Sequence, residues 1–261
     1  MSGARPAPAP DVLRVLTWNV HGLRAGAGAV AHVLREARCD VALLQEGPRG
    51  LRTVPRAADL ARRSGLLVAA AGRPAAGNLV LVAPRLAVDV ARAAALPVRG
   101  LTTPVRGVAA AVLRRPGGRR LVVLAAHLGL VEGERRDHAA RLAEVPGLLA
   151  RDLGEPDDLP VVVGADLNEH PGGPSWSAVA PGGRDCWAQV AAGADEGAGG
   201  GGATFPASRP RARIDAVLAR GVEPMRAEVL ATGAASDHRA VVVDLVVTAA
   251  AAQRRSGLMS A

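Results

Sequence analysis

The chain has no tyrosine, one phenylalanine and three tryptophans, so aromatics make up only 2% of its 261 residues. A core built under that restriction rests on Val, Leu and Ala, and a surface that stacks bases on interleaved aromatic and basic side chains is excluded. Lysine is absent too. The 32 basic residues are all arginine and outnumber 24 acidic ones, for a formal net charge of +8. Because Ala, Gly, Arg and Pro are abundant along the whole length, this excess reads as a G+C-rich coding bias, which weakens the inference from charge to a nucleic-acid partner. Two cysteines, Cys39 and Cys186, make neither a disulfide framework nor a zinc spacing, and free thiols follow. No apolar run is long enough to span a membrane, and the opening MSGARPAPAP lacks the apolar stretch of a signal peptide. The expectation is a cytoplasmic protein with no membrane insertion; no hydrophobic hairpin suited to a lipid surface stands out.

What is present suffices for a large core, since 49% of the residues are hydrophobic. Residues 1–10 read as a disordered tail, 11–248 as one domain and 249–261 as a loose tail, with no repeat or convincing linker. Apolar runs predict strands over 13–20, 40–46, 66–70, 79–82, 86–91, 105–114, 119–127, 161–163 running into Gly164 and Ala165, 213–220, 221–232 and the end of 235–247. Helical spacing predicts helices up to about residue 38, over 54–64 and 133–152, and in short pieces within 174–191. Strands joined partly by hairpins and interrupted by a few helices predict an α/β sandwich of two mixed sheets packed face to face, helices outside.

The stretch VVVGADLNEHPGG, residues 161–173, organises the rest. Three valines read as a buried strand that delivers Asp166 and Asn168 one residue apart. If the strand persists, both side chains point the same way, because the side-chain period is two. A carboxylate beside a carboxamide can hold a cation, align a water or polarise a phosphoryl oxygen. The same pair could instead cap local backbone as an Asx-turn.

Other apolar strands end similarly: on Asn19, on Glu46 and on His127. Asp215 sits early in one later strand, and Asp237-His238 precede another. If neighbouring strands alternate in direction, these ends and starts share one edge of the sandwich.

In that order and spacing, WNVHGL, LLQE, AAHLG, GADLNEHP, TFP, RIDAVLA and SDHRAV resemble the endonuclease/exonuclease/phosphatase superfamily, from about residue 12 to 247. The resemblance implies a four-layer α/β/β/α sandwich with mainly antiparallel sheets, and a Mg²⁺- or Mn²⁺-dependent attack of water on a phosphoester. It implies Glu46, Asn19 and Asp237 at the metal, Asp166 orienting or deprotonating the water, and Asn168 holding the water or a phosphoryl oxygen. His238 would face the phosphorus as donor or base, with Asp215 holding its other nitrogen, and His127 would be a second phosphate donor or the leaving-group acid. Arg106 could reach a phosphate, although a surface arginine is the simpler reading, and Asn78 is a weaker substrate-side candidate at a turn. The partner implied is a phosphoester, nucleic acid among the candidates, with no obligate protein partner.

Abasic-site members of the superfamily carry a phenol where this chain has His127, and hold a flipped sugar with aromatic loops; here both are missing. A catalytically dead member serving as a phosphate or nucleic-acid binding module is the alternative, yet Glu46, Asp166 and His238 are all present.

Overall fold

The computed structural model describes residues 11–100, 104–192 and 201–247, so the two expected tails and most of the 193–203 loop lie outside the described residues. Valine- and leucine-rich runs give the inner strands, whose both faces are covered. One sheet contains β1 (Val12–Asn19), β2 (Val41–Gln45), β3 (Leu67–Ala70), β4 (Leu79–Val82), β11 (Val222–Leu230) and β12 (Ala240–Val247), in the order β11-β12-β1-β2-β4-β3. The other contains β5 (Ala87–Ala95), β6 (Gly107–Arg114), β7 (Arg120–His127), β8 (Val161–Asp166), β9 (Arg184–Asp185) and β10 (Asp215–Arg220), in the order β5-β6-β7-β8-β10-β9. The helices are α1 (Ala27–Ala37), α2 (Thr53–Ser64), α3 (Glu132–Asp152), α4 (Pro174–Ala178) and α5 (Cys186–Ala192).

Three apolar layers define the architecture. Alternate residues of both sheets, such as Val15, Leu43, Val123 and Val162, meet in the middle. Their neighbours Leu16, Leu44 and Leu81 face outward against Val30, Leu34 and Leu60 of α1 and α2. On the far side, Leu124, Val163 and Leu218 meet Leu142 and Leu149 of α3 and Trp176 of α4. This period-two division builds a four-layer sandwich.

Two features position the site. The pairs β1–β2 and β7–β8 are parallel and every other pairing is antiparallel, so each sheet has two central strands ending at one edge. The sheets also approach closely at Gly164: a Cβ there would lie 2.7 Å from Cβ of Leu43 and 2.8 Å from Cβ of Thr17. Only a glycine permits that approach.

Candidate active site

Asn19 closes β1, while His127 and Asp166 close β7 and β8 as register partners. Asp215 opens β10 directly opposite Asp166. Partners in register share a face of the sheet, so three ionisable side chains from consecutive strands point together.

Asp166 is the hub, and it is buried. Its Oδ2 accepts a hydrogen bond from Asn19 Nδ2 at 3.0 Å, and lies 3.3 Å from His127 Nε2 and 3.9 Å from His238 Nε2. Asn168 arrives differently from the expectation. β8 stops at Asp166, and Asn168 takes a left-handed backbone at φ 49°, which asparagine tolerates better than most residues. The turn lets Asn168 N–H donate to Asp166 Oδ1 at 3.1 Å while its side-chain Nδ2 lies 3.0 Å from His127 Nε2 and donates to the Leu128 carbonyl at 2.9 Å. The Asx-turn and the polar pair are therefore one structure, not alternatives.

His238 is fixed on every side. Its Nδ1 lies 2.9 Å from Asp215 Oδ2, and its ring leans on Phe205 at 4.7 Å between centroids. Its carbonyl accepts from Trp18 Nε1 and Thr232 Oγ1, and its N–H donates to Ser236 Oγ, whose hydroxyl donates in turn to the Asn19 carbonyl at 2.6 Å.

The two histidines are held in opposite charge states. Burial disfavours the His238 cation, but the hydrogen bond and charge of Asp215, with Asp166 and Asp237, outweigh it and lift the imidazolium to about 9. For His127, burial dominates over the attraction of Asp166, the Arg106 cation reinforces it, and the value falls to about 4. Arg106 Nη1 lies 2.9 Å from His127 Nδ1. A guanidinium can only donate, so Nδ1 accepts and the neutral ring carries its proton on Nε2, facing Asp166; the Asn168 Nδ2, itself a donor, then makes no hydrogen bond to that nitrogen and donates to the Leu128 carbonyl instead. Burial, more than any neighbour, raises Asp166 above the usual carboxylate range.

Arg106 thus corrects the surface-arginine reading: it is only 7% exposed, and its Nε has no hydrogen-bond partner among the described residues. Asn78 is buried and donates to the carbonyls of Ala75 at 2.7 Å and Gly107 at 2.8 Å, bracing the backbone next to Arg106.

Three further oxygen-bearing groups border this array. Glu46 falls one residue beyond β2, at φ 51°, with Oε1 3.8 Å from His127 Nδ1. Left-handed backbone at a carboxylate is the kind of strain that functional sites retain. Asp237 is partly exposed, its Oδ1 3.4 Å from His21 Nδ1, and Asn19 Oδ1 accepts the His21 N–H at 3.0 Å. Asp166, Asp215 and His238 also bring ligand atoms within 4.8 Å of one another. There, however, Asp215 already occupies His238 Nδ1, which makes that trio a hydrogen-bonded array. Asn19, Glu46 and Asp237 carry the hard oxygen donors that a small divalent cation takes.

Three contributors escaped the sequence reading. Gln45 Nε2 donates to Thr17 Oγ1, to the Leu43 carbonyl and, across the sheets, to the Gly164 carbonyl at 3.1 Å. It was hidden inside an apolar run. Ser236 and Phe205 lay within the SDHRAV and TFP motifs, where only their neighbours drew notice.

A family model described as Endonuclease/Exonuclease/phosphatase family matches residues 16–238. No curated protein matches the chain. An endonuclease/exonuclease/phosphatase family protein from Bacteroides thetaiotaomicron superposes with a TM-score of 0.71 at 18% identity, over 93% of this chain and all of that one. A mannosyl-6-phosphatase from the same species gives 0.71 at 16% identity, covering 90% and 99%. Truncated Caenorhabditis elegans TDP2 gives 0.66 at 18%, covering 90% and 97%. At such identities these likenesses show the fold.

Proposed function

The chain belongs to the endonuclease/exonuclease/phosphatase family, and on that footing we propose that it is a divalent-metal-dependent phosphoesterase. The observation that carries the reading is the convergence of Asn19, His127, Asn168 and His238 on the buried Asp166 carboxylate. Asn19, Glu46 and Asp237 would hold a Mg²⁺ or Mn²⁺ ion, whose contribution is Lewis-acid polarisation of a phosphoryl oxygen.

The remaining roles fall to this chain's own groups. Asp166 takes the proton of the attacking water; its raised pKa makes it a stronger base than an exposed carboxylate. Asn168 orients that water by neutral hydrogen bonds, while the Nε2–H of His127 faces the Asp166 carboxylate. His238 is already an imidazolium, so it donates to a non-bridging oxygen as charge develops and is not the base. Asp215 keeps that ring charged and oriented, and Arg106 sets the His127 tautomer from behind.

A panel of phosphomonoesters and diesters tests the proposal. The expected result is hydrolysis of a small chromogenic diester with Mg²⁺ or Mn²⁺, abolished by chelation, restored by the metal, and without preference for abasic over intact DNA. Undiminished turnover in excess chelator, or no hydrolysis anywhere in the panel, overturns it.

A further inference from the structure

Nine large apolar side chains are exposed among the described residues, and they are not scattered evenly. Leu51 is 90% exposed, Leu130 69%, Val131 60% and Val54 59%; Val98 and Val105 are also exposed. All six lie where the chain leaves or enters the strands at the active-site edge. Leu51 and Val54 follow β2 and Glu46, Leu130 and Val131 follow β7 and His127, and Val98 and Val105 fall between β5 and β6. Leu67, Val88 and Met225, the other three, belong to β3, β5 and β11, the strands at or next to the outer edges of the sheets.

These segments touch one another in an arc. The Arg49 side chain lies over Gly77, where a Cβ would meet its Nε at 2.9 Å. Gly107, next to Arg106, sits against Pro74 and Ala75 of that same turn. At the other end, a Cβ on Gly133 would lie 3.6 Å from an Arg99 Nη1. The β2–α2 connection, the turn before β4, the residues flanking β6 and the β7–α3 connection are therefore neighbours in sequence around the site.

Charge accompanies the apolar residues. Arg49, Arg52 and Arg56 are exposed around Leu51 and Val54 and have no ion-pair partner among the described residues. Some arginines elsewhere are neutralised, Arg62 and Arg63 by Asp59, Arg114 and Arg120 by Asp89, Arg92 by Asp152, while others, such as Arg38 and Arg184, are exposed without an ion pair among the described residues. Exposed apolar side chains on adjoining segments, with unpaired cations beside Leu51 and Val54, are features of an interaction surface. Isolated Leu and Val tips around a catalytic edge offer nucleotides neither stacking faces nor hydrogen bonds, whereas they suit the boundary between acyl chains and headgroups, with arginine drawn to anionic lipid.

We propose that this arc docks the protein on an anionic lipid surface, bringing the catalytic edge to headgroup level. The docking is peripheral, since no helix of the described residues is long and apolar enough to cross a membrane.

Co-sedimentation with phosphatidylcholine vesicles, with and without one quarter phosphatidylserine, tests this without reference to hydrolysis, so the proposal stands or falls separately from the phosphoesterase reading. Wild-type protein is expected to sediment with the anionic vesicles and far less with the zwitterionic ones. The pair Leu51→Glu, Val131→Glu should weaken that binding at least about tenfold, the least that exposing one large aliphatic side chain is worth. Met225→Glu, on the remote β11, should bind as wild type, and all three proteins should turn over a soluble phosphodiester alike. No sedimentation at either composition overturns the proposal, as does equal binding by the Leu51/Val131 variant. Binding to a short DNA duplex that ignores those two substitutions, with vesicles untouched, overturns it in favour of nucleic acid.

Discussion

His127 and His238 lie on either side of one carboxylate, and their second nitrogens decide what each can do. Arg106 takes the lone pair of the first, and Asp215 takes the proton of the second. On this basis His238→Ala should lower kcat by about 10²–10⁴, the range for a positioned proton donor. Asp215→Asn should keep the fold and lose less, because the ring stays in place while its charge support goes. Steady-state kinetics at saturating metal read both, and a silent Asp215→Asn would remove the positioning role. Legibility at this scale followed one rule: a polar residue ending an apolar strand stands out. That made Asn19, His127, Asp166 and Asp215 visible, and Glu46 and Asn168 nearly so. Arg106 was visible only as a weak candidate for a phosphate and Gln45 not at all, because what places them at the site is burial between elements distant in sequence.

Among the elements, most strands and the long helix could be read from β-branched runs and from helical spacing, and α3 begins within a residue of its expected start. Pairing order was beyond reach. Nothing local says that β12 adds beside β1, or that β10 inserts between β8 and β9, because those choices are made by burying both faces at once. Gly164 shows the difference in kind. In sequence it merely left room at a strand end; in the fold it is a point of close contact between the sheets. Gly164→Ala would force its methyl into Leu43 and Thr17, and overpacking of this sort costs about 1–3 kcal/mol. For a domain of this size that lowers Tm by several degrees. Gly28→Ala is the control: it lies in α1 with nothing within 4 Å of a new Cβ, and should be neutral or slightly stabilising. Thermal melts of the two variants separate sheet contact from a general glycine effect.

Over the whole molecule, the oppositely shifted histidines predict a stability maximum near pH 6.5 in metal-free, chelated protein. His127 and His138 are both buried, with values lowered chiefly by burial. The unfolded chain binds their protons first, so the stability they support is present above the ordinary value of about 6.5. It is lost on acidification, through about 4 in the case of His127. Asp166 opposes this in part, since its raised carboxyl favours the folded state as pH falls. His238 works the other way. Its value is raised to about 9, so its contribution is complete below about 6.5 and disappears as pH rises from there through 9. Melts between pH 5 and 9 should therefore decline on both sides of the maximum. His238→Asn should flatten the alkaline limb and leave the acid limb in place. An alkaline limb as steep in His238→Asn as in wild type would show that the His238–Asp215 pair is not ionised in the folded protein.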